Sequence, residues 1–185
     1  MLLVVFAACT SASDDGPGGG GSGAVDDVDA AGAISAAIVV SDEGDGAARI
    51  LIASTKQLCS DARATPPIAR KGQTLVMIDL HDVTGAGTTA PSAPGTYTIY
   101  PNTGSRPEKS ASLQLATLDA SCQQDVQASG QSGSVALSSV TGGKFAGSYN
   151  VVLNTEERIT GVFDPTPCPE MQALVDSADD HSCLP

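Results

Sequence analysis

The chain has very few aromatic residues. Of its 185 residues only 3% are aromatic, and Trp is absent altogether. Beyond the N-terminal segment the rings are Tyr97, Tyr100, Phe145, Tyr149 and Phe163. Apolar residues make up 41% of the chain, which suffices for one packed domain. We therefore expect a single domain whose core is built mainly from Val, Ile, Leu and Ala.

Basic residues are also scarce. Nine Lys and Arg stand against 21 Asp and Glu, which gives a formal net charge of -12. Affinity for nucleic acids comes largely from Lys and Arg that neutralise phosphates and release counterions. Because a surface of the opposite sign repels phosphate backbones, we expect no nucleic-acid partner.

Complete catalytic and metal-binding motifs are absent from the sequence. No cysteines or histidines have the C-x-x-C or H-x-x-x-H spacing typical of zinc sites. Residues 130–133 approach the G-x-S-x-G motif but lack its spacing. The acidic residues 41–46 lack the EF-hand pattern for Ca²⁺, and we interpret them as a solvated hairpin turn. We expect no cofactor and favour a non-enzymatic role.

The two histidines suggest one alternative. His81 lies between Asp79 and Asp82, and His181 follows two Asp residues. Asp79 and His81 lie two residues apart, as in a metal or acid–base site built on one strand face. No further ligand is identifiable, so we interpret them as the polar outer face of a half-buried strand. A metal-dependent binder or hydrolase that uses Asp79, His81 and Asp82 remains the alternative.

The N-terminus is the one segment with the order of an export signal. Residues 2–8 are apolar, Cys9 follows, and a Gly- and Asp-rich stretch continues to residue 32. That order is typical of a signal sequence and a tether. No run approaches the about 18–20 apolar residues of a membrane-spanning helix. We predict a signal sequence at residues 1–8, with its true start upstream, a tether at 9–32 and one β-rich domain at 33–185.

Residues 6–9, Phe-Ala-Ala-Cys, resemble a bacterial lipobox. The resemblance implies that Cys9 carries a diacylglycerol and becomes the mature N-terminus, although Phe6 stands where Leu is usual. The membrane would then be a partner through this lipid. Thr10 stands where an Asp tends to retain lipoproteins at the inner membrane, which implies the outer membrane of the cell envelope.

From residue 33 onward, short runs rich in β-branched residues alternate with Gly, Pro, Asn, Asp and Ser clusters. The pattern predicts eight strands, at residues 34–40, 48–54, 74–83, 96–100, 112–119, 134–140, 144–153 and 158–163. Val76, Ile78 and Leu80 alternate with Met77, Asp79 and His81, and the first three should face inward. Residues 169–178 have the apolar spacing of one short helix. We expect an all-β fold, an antiparallel β-sandwich or small barrel with a C-terminal helix.

Residues 133–137 (GSVAL), 145–149 (FAGSY) and 160–164 (TGVFD) resemble the C-terminal strands of exported β-sandwich lipoproteins of myxobacteria-like bacteria. Residues 94–97 (PGTY) are similar to a strand opening in the same group. The resemblance implies a β-sandwich fold and a location outside the cytoplasm, and it implies no activity.

Four cysteines lie in the expected domain: Cys59, Cys122, Cys168 and Cys183. An even number in an exported chain favours two disulfides, and four cysteines permit three connectivities. We expect Cys59 with Cys122, and Cys168 with Cys183, since the second pair would join the terminal helix to the last strand. The whole sequence thus predicts a membrane-tethered, non-enzymatic module that binds a ligand of unknown identity or another envelope protein.

Overall fold

The structure is a computed structural model, and it describes residues 32–40, 45–54, 56–85, 87–176 and 181–184. The expected signal sequence, Cys9 and all of the tether before Gly32 lie outside the described residues, as does most of the acidic turn at residues 41–46. No helix in the described part of the chain combines the length and the apolar character that a bilayer crossing requires.

The described residues form mostly strands. The strands are β1 (Gly32–Val39), β2 (Gly46–Ala53), β3 (Ile68–Arg70), β4 (Thr74–Thr84), β5 (Gly87–Thr89), β6 (Gly95–Ile99), β7 (Lys109–Leu118), β8 (Gln124–Thr141), β9 (Lys144–Leu153), β10 (Arg158–Phe163), β11 (Thr166–Pro167) and β12 (Ser182–Leu184). The helices are α1 (Leu58–Arg63) and α2 (Met171–Asp176). The all-β expectation is confirmed, and the eight expected strands correspond to β1, β2, β4 and β6 to β10. Four short strands and α1 were not expected.

The strands form one large mixed sheet and a separate small one. The main path runs β10-β9-β8-β6-β7-β4-β2-β1-β11, and β5 adds to β4. The expectation of purely antiparallel pairing is wrong, because β1 pairs with β11, β6 with β7 and β3 with β12 in parallel. Each parallel ladder has only two or three residue pairs. Such short ladders form where segments that are distant in the sequence meet. Two or three residues are too few to show a period-two pattern in the sequence.

The sheet is rolled so that its two ends approach each other. Edge strand β10 leads through Asp164 and Pro165 into β11, which lies at the opposite edge. Near these edges the fully buried Ser35 of β1 donates a hydrogen bond to the carbonyl oxygen of Gly143, with a distance of 3.0 Å. The Ser35 hydroxyl also accepts a hydrogen bond from the backbone N–H of Phe145. One buried hydroxyl therefore links the first strand to the β8–β9 hairpin.

The inner face of the rolled sheet is the main apolar core. Ile50, Ile78 and Leu113 are cross-strand partners on β2, β4 and β7, and each is at most 1% exposed. The rings of Tyr97, Phe145, Tyr149 and Phe163 are also buried. The expected inward face of residues 74–83 is confirmed.

Two disulfides are present, but the expected pairing is wrong. Cys59 bonds to Cys168, and Cys122 bonds to Cys183. The unexpected helix α1 carries Cys59 and contacts α2, which begins just after Cys168. Strand β12 pairs with β3, and β3 is followed by Gly72, whose N–H donates to Leu118 at the end of β7. This arrangement brings Cys183 next to Cys122 in the β7–β8 turn.

Candidate functional site

A polar patch crosses three adjacent strands on the outer face of the sheet. Arg49 of β2 lies directly opposite Asp79 of β4, and Asp79 lies opposite Ser112 of β7. His81 of β4 lies opposite Ser110 of β7. Directly opposed residues in antiparallel strands project to the same face of a sheet. The register therefore assembles two charged groups, one imidazole and two hydroxyls into one patch.

A cavity of about 510 Å³ lies over this patch. The connection between β6 and β7 contributes Tyr100, Asn102 and Arg106, and α2 contributes Val175. The remaining lining residues are Val40, Arg49, Asp79, His81, Ser110, Ala111, Ser112 and Gln114. We call this space the polar cavity. Its size lies within the range of small-molecule sites.

The expectation that Asp79 and His81 face solvent is wrong. Both residues are only 8% exposed, and every residue from Thr74 to His81 is buried. The alternation of residues 74–83 correctly assigned the two faces of β4. Yet α2 and the loop before β7 cover the outer face, and period two carries no information about such distant cover.

Arg49 and Asp79 form a largely buried ion pair at one wall of the polar cavity. Nε and Nη2 of Arg49 each donate a 2.7 Å hydrogen bond to a different carboxylate oxygen of Asp79. Their side chains are 12% and 11% exposed. Because both Asp79 oxygens accept from this guanidinium, Asp79 is held as the partner of Arg49.

Asp82 lies on the opposite face of β4 from Asp79 and His81. Its Oδ1 accepts hydrogen bonds from the ammonium group of Lys109 and the hydroxyl of Tyr97, with distances of 2.7 Å and 2.8 Å. The hydrogen bond with Asp82 raises the pKa of Lys109, and burial raises the pKa of Tyr97. The structure thus separates Asp82 from the other two residues of the metal-site hypothesis.

Among the described residues, the group with metal-ligand spacing is Cys59, Cys168 and Glu170. The two sulfur atoms of this group are bonded to each other in a disulfide. They are therefore not thiolates, which are the form that binds metal. This cluster offers a metal only the carboxylate of Glu170, which also pairs with Arg63.

His81 is held in one tautomer. Its Nδ1 lies 3.2 Å from the carbonyl oxygen of Gly46. Since a carbonyl oxygen only accepts, Nδ1 must carry the proton of the neutral ring, and Nε2 keeps the lone pair. Burial lowers the pKa of His81, and the positive charge of Arg106 adds to this effect. At neutral pH the ring is therefore uncharged and presents a hydrogen-bond acceptor at Nε2.

Arg106 is the cation of the polar cavity that has no acidic partner in the described part of the chain. Its Nε donates a 2.9 Å hydrogen bond to the hydroxyl of Ser110, and its guanidinium lies 6.0 Å from the ring centre of Tyr100. The side chain is otherwise exposed. Sequence reasoning missed Arg106, because a single Arg in a polar loop carries no signal.

A smaller, apolar cavity adjoins the polar one. It has a volume of about 80 Å³, and Arg49 and Val175 line both spaces. The apolar walls are Leu51, Leu58, Pro67, Ile68, Ala69, Leu75, Met77, Leu118, Met171, Leu174 and Val175. Gln124 also lines this space, and its buried amide N and O have no hydrogen-bond partner among the described residues. We call this space the apolar cavity.

Comparisons with known proteins give no relative from which to assign the site. No family model matches the sequence, and searches of curated proteins and of solved structures found no match. The functional argument therefore depends on the chemistry of the cavity residues.

Proposed function

We propose that this chain is a membrane-tethered, non-enzymatic module of the cell envelope that binds a small anionic ligand in the polar cavity. Arg106 carries the ligand part of this proposal, because its guanidinium lies at the cavity without an acidic partner in the described residues. A planar guanidinium matches the geometry of carboxylate and phosphate groups.

The distribution of charge supports an anionic ligand. Five basic residues form salt bridges with acids: Arg49, Arg63, Arg70, Lys109 and Lys144. Arg106 forms no salt bridge among the described residues and is the cation that remains available at the cavity. Around it, His81, Ser110 and Ser112 supply uncharged polar groups that suit the remaining oxygens of such a ligand.

A non-enzymatic role is supported by the state of the acidic side chains. Asp79 accepts from Arg49, and Asp82 accepts from Lys109, so each carboxylate already pairs with a cation of the chain. The Nδ1 of His81 lies beside the carbonyl oxygen of Gly46, whereas a carboxylate holds this position in a catalytic triad.

The proposed location in the cell envelope rests on the lipobox-like residues and on the cysteines. Two disulfides are typical of proteins outside the reducing cytosol. The resemblance to exported lipoproteins of myxobacteria-like bacteria supports the same address. We also propose that this domain is a β-sandwich, as those lipoproteins are. The two hydrogen bonds of Ser35 support this, because they join β1 to the β8–β9 hairpin.

Anion titrations test the ligand part. The full chain with Cys9→Ser, which removes the lipidation site, should bind acetate or inorganic phosphate saturably with one site per chain. Arg106→Gln should weaken this binding about 10- to 100-fold, because a hydrogen bond to a charged group is lost. Calorimetry or chemical-shift titration gives both affinities.

Arg158→Gln is the matched control. Arg158 is also an exposed Arg, and its Nη1 donates to the neutral Asn150 far from the cavity. This variant should bind as the parent does. An equal loss in both variants, or binding that never saturates, would contradict the assignment to the polar cavity.

Fractionation tests the tether independently. The full gene, including its upstream codons, should place the parent protein in the membrane fraction of its host. Cys9→Ser should move the protein to the soluble fraction of the envelope. Equal membrane retention of the two forms would overturn the lipid anchor and leave the cavity argument untouched.

A further inference from the structure

We infer that the anion bound in the polar cavity also carries a hydroxyl group, and that this hydroxyl donates a hydrogen bond to Nε2 of His81. The ligand is then a small hydroxycarboxylate with its carboxylate at Arg106. This inference rests on the proposed function and specifies the class of ligand.

The position of His81 in the sheet directs its Nε2 toward the side of Arg106. Strand β4, which carries His81, lies between β2 and β7. Nδ1 of His81 lies 3.2 Å from the carbonyl oxygen of Gly46, at the start of β2. The two nitrogens of an imidazole ring point away from each other, so Nε2 is directed away from β2. On the other side of β4 lies β7 with Ser110, the hydrogen-bond partner of Arg106.

Arg106 and His81 lie close enough for one small molecule to contact both. Ser110 is directly opposite His81 in the β4–β7 ladder, and the Cβ atoms of such a pair are about 4.5–5.5 Å apart. Nε of Arg106 lies 2.9 Å from the hydroxyl oxygen of Ser110. Burial lowers the pKa of His81, and the charge of Arg106 lowers it further, as expected for neighbouring groups. A carboxylate and a hydroxyl on neighbouring carbon atoms match this short separation.

Nε2 of His81 is an acceptor that is still available at the polar cavity. It has no hydrogen-bond partner in the described part of the chain, although the ring lines the cavity. An anion without a donor, such as acetate, can only bring oxygen lone pairs toward the lone pair of Nε2. A ligand hydroxyl donates to Nε2 instead. The neutral tautomer of His81 therefore favours an anion that has a donor of its own.

Charge favours a hydroxyl over an ammonium group as this donor. The charged side chains that line the polar cavity, among the described residues, are Arg49, Arg106 and Asp79. They leave one net positive charge, which a hydroxycarboxylate with one negative charge neutralises. An amino acid has no net charge and would bring its ammonium group close to Arg106. Repulsion between these two cations disfavours the amino acid.

Glycolate and acetate test the hydroxyl, because they differ by this group alone. The protein is the full-length Cys9→Ser chain at neutral pH, and calorimetry or chemical-shift titration gives the affinities. Glycolate should bind about 3- to 10-fold more tightly than acetate, which is the gain expected from one hydrogen bond between uncharged groups. Methoxyacetate, in which a methyl group replaces the hydroxyl proton, should lose this gain. This comparison needs no variant of the site.

His81→Phe locates the hydroxyl. The variant keeps a planar ring and removes Nε2, so the ratio of glycolate to acetate affinity should fall toward one. Acetate should still bind, which also shows that the variant is folded. His181→Phe makes the same change at the histidine that lines the apolar cavity and not the polar one. It should keep the ratio of the parent.

The results that would contradict this inference differ from those that would contradict the proposed function. Equal affinities of the parent for glycolate and acetate would overturn the hydroxyl and preserve the anion site. A preference for glycolate that survives in His81→Phe, or that methoxyacetate shares, would overturn the hydrogen bond to Nε2. Failure of all three carboxylates to bind would overturn the proposed function itself.

Discussion

The two faces of β2, β4 and β7 come from the same three strands and differ in almost every other respect. The inner face carries Ile50, Ile78 and Leu113 and packs against the rings of the last three strands. The outer face carries the residues next to these in the sequence, namely Arg49, Asp79 and Ser112. Both faces are covered, and the outer one contains the largely buried Arg49–Asp79 ion pair and the polar cavity.

This difference separates what stabilises the fold from what is available for function. Burial of apolar side chains needs no partner beyond shape, so the inner face contributes stability directly. A buried ion pair gains little net stability, because its attraction must offset the desolvation of two charges. We therefore assign the stability of the domain mainly to the inner face and its specificity for ligands to the outer face.

Phe163→Ala should have the largest effect on stability. Phe163 is 4% exposed and belongs to a core with few rings. Truncation of a buried Phe costs about 3–5 kcal/mol in the free energy of unfolding. Urea denaturation measures this loss, and Val162→Ala at the neighbouring exposed position should change stability by less than about 0.5 kcal/mol. Similar losses in both variants would show that β10 does not bury Phe163.

Arg49→Met should show that the outer face is equally buried but differently stabilised. Removing one partner leaves the Asp79 carboxylate unpaired, and breaking a buried ion pair costs about 3–5 kcal/mol. The double variant Arg49→Met with Asp79→Leu should recover most of this stability, because no unpaired charge remains. A small effect of the single variant, below about 1 kcal/mol, would mean that water reaches the pair.

His81 should make the stability of the domain depend on pH below neutrality. Burial and Arg106 lower the pKa of folded His81 below its unfolded value, which is about 6.5. As the pH falls below about 6.5, the unfolded chain takes up a proton that the folded chain resists, so stability decreases. The slope from this group is at most about 1.4 kcal/mol per pH unit.

Unfolding curves at several pH values between roughly 5 and 7.5 measure this slope, because that range brackets the pKa of an unfolded His. His81→Gln should flatten the curve of stability against pH in that window. A parent and a His81→Gln variant with the same slope would contradict the burial of this ring.

Gln124→Met should have the smallest effect and the opposite sign. The amide of Gln124 is buried without hydrogen-bond partners among the described residues. An unsatisfied buried polar group costs about 1–3 kcal/mol, and Met has a similar shape without the polar atoms. We expect a gain of about 1 kcal/mol. Gln123→Met at the exposed neighbour is the control, and a loss of stability specific to Gln124→Met would show that its amide has partners.

The sequence predicted most long strands from their local patterns, but it covered only residues 134–140 of β8, which spans Gln124–Thr141. Residues 144–153 and 158–163 were predicted with the bounds that β9 and β10 have. The short strands β3, β11 and β12 form only through pairing with distant segments, and no local pattern marks them. The disulfide pairing failed for the same reason, since it depends on α1 and β12 reaching their places.

The candidate site was visible only in part. The alternation in β4 singled out Asp79 and His81 and put them on one face. It assigned that face to solvent, because a strand pattern does not reveal that α2, about 90 residues later, will cover it. Tyr100 and Arg106 reach the cavity through a loop, and loop positions lack the periodicity that sequence reasoning uses.

Chemical-shift mapping with acetate tests the central claim most directly, namely that the outer face of β2, β4 and β7 is the ligand site. Amide signals should shift at Asp79 and His81, at Arg106 and Ser110, and at Val175 in α2. Signals of the inner face, such as those of Tyr149 and Phe163, should stay in place. Shifts confined to β9 and β10, or spread evenly over the surface, would contradict the account.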